Sequence, residues 1–575
     1  MPTAATAFLS ALHESGVSYI FANLGTDHPP ILESLAEAHA TGQPVPQLIT
    51  CPHEMVALSA AHGYAQATGR AQVVLVHVDC GTQSLGGAVH NAAKGRVPVL
   101  LFAGMSPFTQ EGELRGSRNE WVHWVQDVLD QRGIVRGYVK YENEIRTGRN
   151  IKQIVHRAMQ LAHSDPKGPV YLTASREVLE EEVPAVSASD PNLWHPLAPG
   201  AIDPSAAALI AQDLMAARRP LVISSYLGRN PAAVAELVKL CHALGIGVWT
   251  SIPTYLDFPA DDPLYLGNQV NAPVRNAALE EADVVLVLDS DVPWIPMVSK
   301  PNPAARIYHI DVDPLKQQMP LWYFPMQHSF RADAATALAQ INAYVASAKA
   351  NGKVDETLVG QRRAHYSAIH EARMKELAAR EIPREDAITP EHLTASVREH
   401  LPPDALVLDE GITSHNTIAD HIRATRPGSF FTAAGGSIGW STGAAVGIKL
   451  ANPDKTVVAL TGDGCFMESI PSSAHWMARR YQTPFVQVVY NNRGWKAPKM
   501  SALAIHPHGY ASKSKDMGVA FDPPPDYSGI AAAAGGAFAA IVRQPCELDR
   551  ALSEAFRVVR DEGRCAVLDV WLPGF

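Results

Sequence analysis

The sequence predicts an α/β protein made of three doubly wound, parallel-sheet domains. Short apolar, β-branched runs alternate with helical patterns along the whole chain, which is the signature of parallel sheets wrapped by helices. The alternation restarts twice, after a Pro-rich stretch at 183–203 and after a charged, helix-prone stretch at 353–384. At 575 residues the chain also has room for three or four domains of ~150 residues each.

The first block, residues 1–185, has strand candidates at Tyr19-Ile20-Phe21, 73–78, 97–102 and Val170-Tyr171-Leu172, with helical patterns such as 54–67 between them. The central block, 195–345, begins with a helix at 205–217 before the strand Leu221-Val222-Ile223, then strands at 284–288 and 307–310. Residues 346–388 read as a helical linker. The third block, 389–575, has strands at Leu406-Val407-Leu408, 457–460, 485–490 and 566–571. Blocks one and three look alike in pattern, without a visible sequence repeat.

Apolar residues make up 47% and charged residues 18%, the balance of a soluble globular protein. The net charge is −10, from 48 basic and 58 acidic residues, with no basic stripe. That argues against a nucleic-acid partner. Six scattered cysteines form no Cys-x-x-Cys pair, so neither a disulfide framework nor a zinc site is expected, and a reducing cytoplasm fits. The first residues lack the basic start and apolar core of a signal peptide. No run of ~18 apolar residues offers a membrane span.

The chemistry is most legible at Gly462-Asp463-Gly464, which ends the apolar run 457–460, and at Asn491-Asn492, which ends the run 485–490. Both stand where a buried strand meets a loop, the ligand-binding edge of an open α/β sheet. A carboxylate, an amide oxygen and a loop carbonyl are hard oxygen ligands, suited to Mg²⁺ or Ca²⁺ shared with a diphosphate.

Further motifs accompany this pair: Cys51-Pro52-His53-Glu54 followed by Ala60-Ala61-His62-Gly63-Tyr64-Ala65 and Thr68-Gly69, Gly81-Thr82-Gln83-Ser84, the run Arg96 to Gly104, Tyr308-His309-Ile310-Asp311-Val312-Asp313-Pro314, and Gly435-Gly436-Ser437-Ile438-Gly439. Together they resemble the thiamine diphosphate enzymes of the acetolactate synthase and pyruvate decarboxylase superfamily, over nearly the whole chain. The resemblance implies pyrimidine-binding, central and diphosphate-binding domains, with thiamine diphosphate and Mg²⁺ as cofactors. That cofactor reacts through a thiazolium carbon that loses a proton and attacks a carbonyl. Glu54 would bond the aminopyrimidine, and a carboxyl among Met55, Val56, Ala57 and Leu58 is placed to share a proton. Asp463, Asn492 and the Gly494 carbonyl would hold the metal. Gly411, Gly436, Gly462 and Gly464 would line the cofactor, and Ile438, otherwise an ordinary core residue, would bend it. Glu54 of one subunit would serve Asp463 of another, implying a homodimer or homotetramer.

The substrate-facing positions are less defined. By resemblance, the loop carrying Asp27 and His28 lies over the reactive carbon, where a proton-transfer group is needed; alternatively Asp27 caps the helix starting near Pro29. Gln83 is a substrate-near candidate or turn residue, and His123 a catalytic candidate or packed histidine. The His-His pair of pyruvate decarboxylases is absent, and Pro498 and Lys499 stand where those enzymes carry an acidic residue. Lys496 and Lys499 could meet a substrate carboxylate or phosphate. Residues 500–527, with His506 and His508, form a candidate lid. The expected activity is C–C bond cleavage or formation on a 2-oxo acid or 2-hydroxyacyl donor. The alternatives are a 2-hydroxyacyl-CoA lyase or oxalyl-CoA decarboxylase-like enzyme acting on a CoA thioester, and a flavin-linked oxidoreductase with FAD or a nucleotide in the central domain.

Overall fold

The computed structural model describes residues 1–184, 190, 193–270, 275–514 and 516–574. Its strands fall into three six-stranded sheets, all parallel. The first contains β1 (Tyr19–Ala22), β2 (Gln47–Thr50), β3 (Val73–Val76), β4 (Leu100–Met105), β5 (Tyr141–Glu144) and β6 (Val170–Ser175), in the order β2-β1-β3-β4-β6-β5. The second contains β7 (Pro220–Ser224), β8 (Gly247–Ser251), β9 (Tyr265–Gln269), β10 (Val284–Leu288), β11 (Arg306–Asp311) and β12 (His328–Arg331), ordered β12-β11-β10-β7-β8-β9. The third contains β13 (Leu406–Glu410), β14 (Phe430–Thr432), β15 (Val457–Gly462), β16 (Val486–Asn491), β17 (Phe538–Val542) and β18 (Ala566–Trp571), ordered β14-β13-β15-β16-β18-β17. Shifted by twelve, the third order is that of the first.

The inner strands are legible because both of their faces are covered. Val73-Val74-Leu75-Val76 and Val284-Val285-Leu286-Val287-Leu288 are buried throughout, as parallel strands between two helical layers must be. The strands not anticipated are the six edge strands β2, β5, β9, β12, β14 and β17, together with β8. An edge strand has one neighbour and tolerates polar residues; β5 is Tyr-Glu-Asn-Glu and β12 is His-Ser-Phe-Arg. Two predicted strands shift. β3 stops at Val76 because Val78 takes φ +35° and opens the helix Val78–Ser84. β4 begins only at Leu100, after Pro98, which has no N–H for a ladder.

Two contacts between blocks matter for the site. The helices Glu54–Thr68 and Ser441–Ala451 cross backbone to backbone: a Cβ on Gly447 would lie 1.8 Å from the Ala60 carbonyl oxygen, and one on Gly63 would lie 2.4 Å from the Ala444 carbonyl oxygen. The charged stretch after the central sheet contains the helix Glu356–Arg380, docked on that sheet. Its buried Arg362 donates to the carbonyls of Leu214, Leu244, Met215 and Ala217, and Tyr366 Oη donates to the Pro220 carbonyl at 2.7 Å. The four carbonyls take up both Nη groups, while Nε has no partner among the described residues.

Candidate active site

In a doubly wound sheet, ligands bind beyond the strand C-termini where the winding reverses. That point lies between β13 and β15 in the third sheet and between β1 and β3 in the first. The residues predicted to act cluster at these two edges.

At the third sheet, Asp463 opens the helix Asp463–Glu468 directly after β15. Its Oδ1 accepts the Gly464 N–H at 2.8 Å and its Oδ2 the Gly494 N–H at 2.9 Å. Burial nevertheless raises its carboxyl to about 6, with Asp569 adding to the rise. Asn492 is buried, its Nδ2 lies 3.3 Å from Thr413 Oγ1, and its Oδ1 has no partner. A stranded amide oxygen beside a carboxylate short of positive charge is the donor set a hard cation would complete. The residues therefore fit a metal–diphosphate group. Gly494, at φ +149°, spends its carbonyl on the Lys496 N–H at 3.1 Å, which leaves it a second lone pair. Asn491 is committed otherwise: its Nδ2 donates to Asp569 Oδ1 at 2.7 Å and its Oδ1 accepts the Arg493 N–H at 3.0 Å. Gly464 is needed for close approach, since a Cβ would lie 2.7 Å from the Trp495 ring. Gly462 ends β15 and precedes Asp463.

Gly411 follows β13 and donates its N–H to Asp409 Oδ1 at 2.9 Å. Glu410 accepts the N–H groups of Gly439, Trp440 and Ser441 at 2.8, 2.7 and 2.8 Å. This fixes the start of the helix Ser441–Ala451 against the end of β13. Just before that helix, Gly436 is exposed at φ +76° and Ile438 is half-buried. The segment is also gripped from the first block. Asn91 Nδ2 donates to the Ser437 carbonyl at 2.7 Å, the Ser437 N–H returns to Asn91 Oδ1 at 3.1 Å, and His90 Nε2 meets the Gly435 carbonyl at 2.8 Å.

At the first sheet, Asp27 does not cap a helix. The helix Pro29–Thr41 is preceded by His28 without a side-chain capping bond. Asp27 is instead 1% exposed; its Oδ1 lies 2.6 Å from His77 Nδ1 and its Oδ2 accepts the Val78 N–H at 3.2 Å. Burial opposes its charge, but His28 and His77 hold its carboxyl below the ordinary range. His28 is fully buried behind it, with Nε2 3.2 Å from Asp27 Oδ2 but off hydrogen-bond geometry, and burial lowers its pKa. The ring that reaches the partly exposed side is His77, which is absent from the residues expected above. Burial works against its charged form, but the bond to Asp27 outweighs that and raises its pKa, assisted by Gln126 Oε1 at 2.9 Å from Nε2. A signal existed: a histidine ending the run 73–76, four residues before Gly81.

Glu54 is the first residue of its helix, with His53 Nδ1 accepting the Met55 N–H at 3.1 Å. Its side chain is 13% exposed. A Cβ on Gly81 would come within 3.3 Å of Glu54 Oε1, so glycine there keeps space beside the carboxyl. Gln83 is exposed and donates to Asp79 Oδ2 at 3.2 Å. His123 is buried against Thr26 Oγ1 at 3.2 Å and Arg176 Nη1 at 3.4 Å; burial and Arg176 lower its pKa. Arg176 ties this loop down through the carbonyls of Gly116, Ser117 and Thr26. The segment after Asn492 forms the helix Lys496–Ile505, with His506 and His508 exposed.

In the central sheet the winding reverses between β7 and β10. That crevice is filled by side chains: Asp291 binds Arg96, Lys316 and Tyr226 at 2.8, 2.7 and 3.0 Å, and Asp311 binds Arg96 and Lys316 at 3.0 and 2.5 Å. Beside it lies a cavity of about 370 Å³ whose charged lining is Lys94, Arg96, Lys140, Lys167 and Lys316 with Asp291 and Asp313.

The two edges thus differ in what they offer: ionisable side chains at the first, and at the third a carboxylate, an amide oxygen without a partner and exposed backbone. Three family models match in order: the thiamine pyrophosphate enzyme N-terminal binding domain over residues 2–134, the central domain over 207–341 and the C-terminal binding domain over 411–570. The chain belongs to the thiamine pyrophosphate (thiamine diphosphate) enzyme family and is an enzyme of its acetolactate synthase and decarboxylase-like group. It is 26% identical to acetolactate synthase isozyme 3 large subunit of Escherichia coli, over 100% of this chain and 95% of that one. It is 24% identical to benzoylformate decarboxylase of Pseudomonas aeruginosa, over 86% of each. Its fold matches the 4-hydroxybenzoylformate decarboxylase of Rhodococcus jostii with a TM-score of 0.80 at 20% identity, over 100% and 99% of the two chains. Among the described residues no helix is long and apolar enough to cross a membrane.

Proposed function

We propose that the protein is a thiamine diphosphate- and Mg²⁺-dependent enzyme that cleaves or forms the C–C bond next to the carbonyl of a 2-oxo acid without net oxidation. The observation that carries this reading is the His77–Asp27 pair. A decarboxylase or carboligase must return a proton to, or take one from, the carbon that lost its substituent, and a positioned acid–base group serves that need. The bond to a buried carboxylate favours the charged form of His77, whose outer nitrogen meets the Gln126 amide. Bound thiamine diphosphate supplies a nucleophilic carbon and a sink for the negative charge. Asp463, Asn492 and the Gly494 carbonyl would hold Mg²⁺ on its diphosphate. Gly411, Gly436 and Ile438 would cradle its rings, and Glu54 would hold or pass a proton at its aminopyrimidine. Asp27 and His28 support His77 from behind. Gln83 and His123 border the same space.

The test is CO₂ release from a panel of aliphatic and aromatic 2-oxo acids by purified protein supplied with thiamine diphosphate and Mg²⁺. No release from any of them, with the cofactor retained, would reject the reading. A second reading, a lyase acting on a 2-hydroxyacyl-CoA, is favoured by the basic cavity beside the central sheet, which suits the phosphates of a nucleotide. Adding CoA thioesters to the panel separates the two. The filled crevice between β7 and β10 speaks against FAD at that place, and a flavin absorbance band in the purified protein would reverse that judgement. Exposed Phe108, Leu114, Trp121, Val125 and Leu129 on one loop region support burial in a homodimer or homotetramer. A cytoplasmic location accords with six unpaired cysteines.

A further inference from the structure

His77 is held on its outer side by a residue with no role in the reading above. Gln126 Oε1 lies 2.9 Å from His77 Nε2, and Gln126 Nε2 lies 3.5 Å from Cys80 Sγ. The backbone at Gln126 is fixed independently. Ser106 Oγ donates to its carbonyl at 2.7 Å, and the Gln126 N–H donates to the Val122 carbonyl at 2.9 Å. Buried Asp27, His77, the Gln126 amide and the exposed Cys80 thiol therefore form a chain from the interior to the open side.

An amide has an acceptor end and a donor end, and its orientation follows its partners. With His77 charged, the Gln126 oxygen accepts the Nε2–H and the amide N–H₂ donates to the Cys80 sulfur. Once His77 has given up that proton, Nε2 becomes an acceptor. A half-turn of the amide then presents N–H₂ to Nε2 and places the oxygen against the Cys80 S–H. Both states are fully bonded only because a thiol, donor and acceptor at once, stands at the far end.

We propose that Gln126 is a positioning residue that holds the His77 proton at the mouth of the site and reverses its amide when that proton leaves, with Cys80 as its counterpart. The inference rests on the assignment of His77 as the proton donor. The proton passes from Nε2 to the substrate carbon and is replaced from solvent, so nothing is oxidised or reduced. The ionisable groups around the ring are Asp27 and His28 from the loop after β1, Asp79 and Cys80 from the helix Val78–Ser84, and His123 from the loop after β4; Glu54 acts on the Cys80 thiol.

The experiment titrates the His77 ring in the cofactor-free full-length chain, using ¹³C-labelled histidine and assigning the signal by its loss in His77→Asn. Gln126→Glu places a charge on Nε2 and is expected to move the midpoint up by roughly one pH unit, while Gln126→Leu moves it down by about as much. Cys80→Ser keeps a donor and an acceptor and leaves the midpoint in place. With cofactors added, the alkaline limb of kcat/KM should follow the same shifts while cofactor content stays constant. A midpoint unmoved by both Gln126 variants overturns the proposal, and so does a Cys80→Ser shift as large as that of Gln126→Leu. If the midpoints move as expected but no 2-oxo acid is turned over, the hydrogen-bond relay stands and the assigned reaction falls.

Discussion

In the first sheet the loop after β1 carries Asp27 and the loop after β3 carries His77; at the matching places in the third sheet stand Glu410-Gly411 and Asp463. Beyond β2 stands Glu54; beyond β14 stand Gly436 and Ile438. The strand order is identical and the chemistry is not. The first sheet presents ionisable side chains, Asp27, His77 and Glu54. The third presents a carboxylate, an amide oxygen and exposed backbone, which suit a metal and a diphosphate. One topology supplies two ligand edges, and a few loop residues decide what each edge does.

The comparison predicts that variants at the two edges fail differently. Asp463→Ala should have the largest effect, with metal and cofactor lost and turnover undetectable; cofactor that survives dialysis would break the assignment of the third sheet as the binding edge. Glu54→Gln should keep the cofactor and slow turnover by roughly 10²- to 10⁴-fold, measured together with exchange of the cofactor's acidic proton. If exchange proceeds at the parent rate, the first sheet is not the proton-handling edge. Gly447→Ala tests the seam that joins the two. Its new methyl meets a backbone carbonyl, and thermal unfolding should report a loss on the order of 1–3 kcal/mol. Unaltered stability would mean that the helices can separate.

The smallest expected effect is electrostatic. His77 is raised by its bond to Asp27, so the stability that this contributes is complete below the ordinary histidine value and is lost as pH rises through the raised one. Asp27 is lowered, so its contribution is complete above the ordinary aspartate value and is lost as pH falls through the lowered one. Between these limits, His77→Asn should cost about 2 kcal/mol. The difference in melting temperature should shrink at alkaline pH; a constant difference would show that packing, not charge, links the two residues.

The inner strands, and the placement of Asp463 and Glu54 at strand and helix ends, were legible because each leaves a local mark: a continuous apolar run, a Gly-Asp-Gly at its end, a carboxylate opening an apolar helix. The edge strands β5 and β12 leave none, because they are largely polar, and β14 is too short, at three residues, to stand out. Asp27 was read as either helix cap or acid, and only the fold shows it reaching 50 positions along the chain to His77. Glu410, Asn91 and Gln126 act through contacts 20 to 346 positions away. Residue type alone does not announce such roles, because any buried Glu, Asn or Gln must find some partner.

The glycine seam between the helices Glu54–Thr68 and Ser441–Ala451 has a consequence for how the chain can change. Because backbone touches backbone, the gap between the two helices is set by the thickness of the peptide chain itself. No side chain there can be trimmed or enlarged to tune it. Within one chain, the separation of these two helices is therefore carried by backbone and not by any side chain that a substitution could resize.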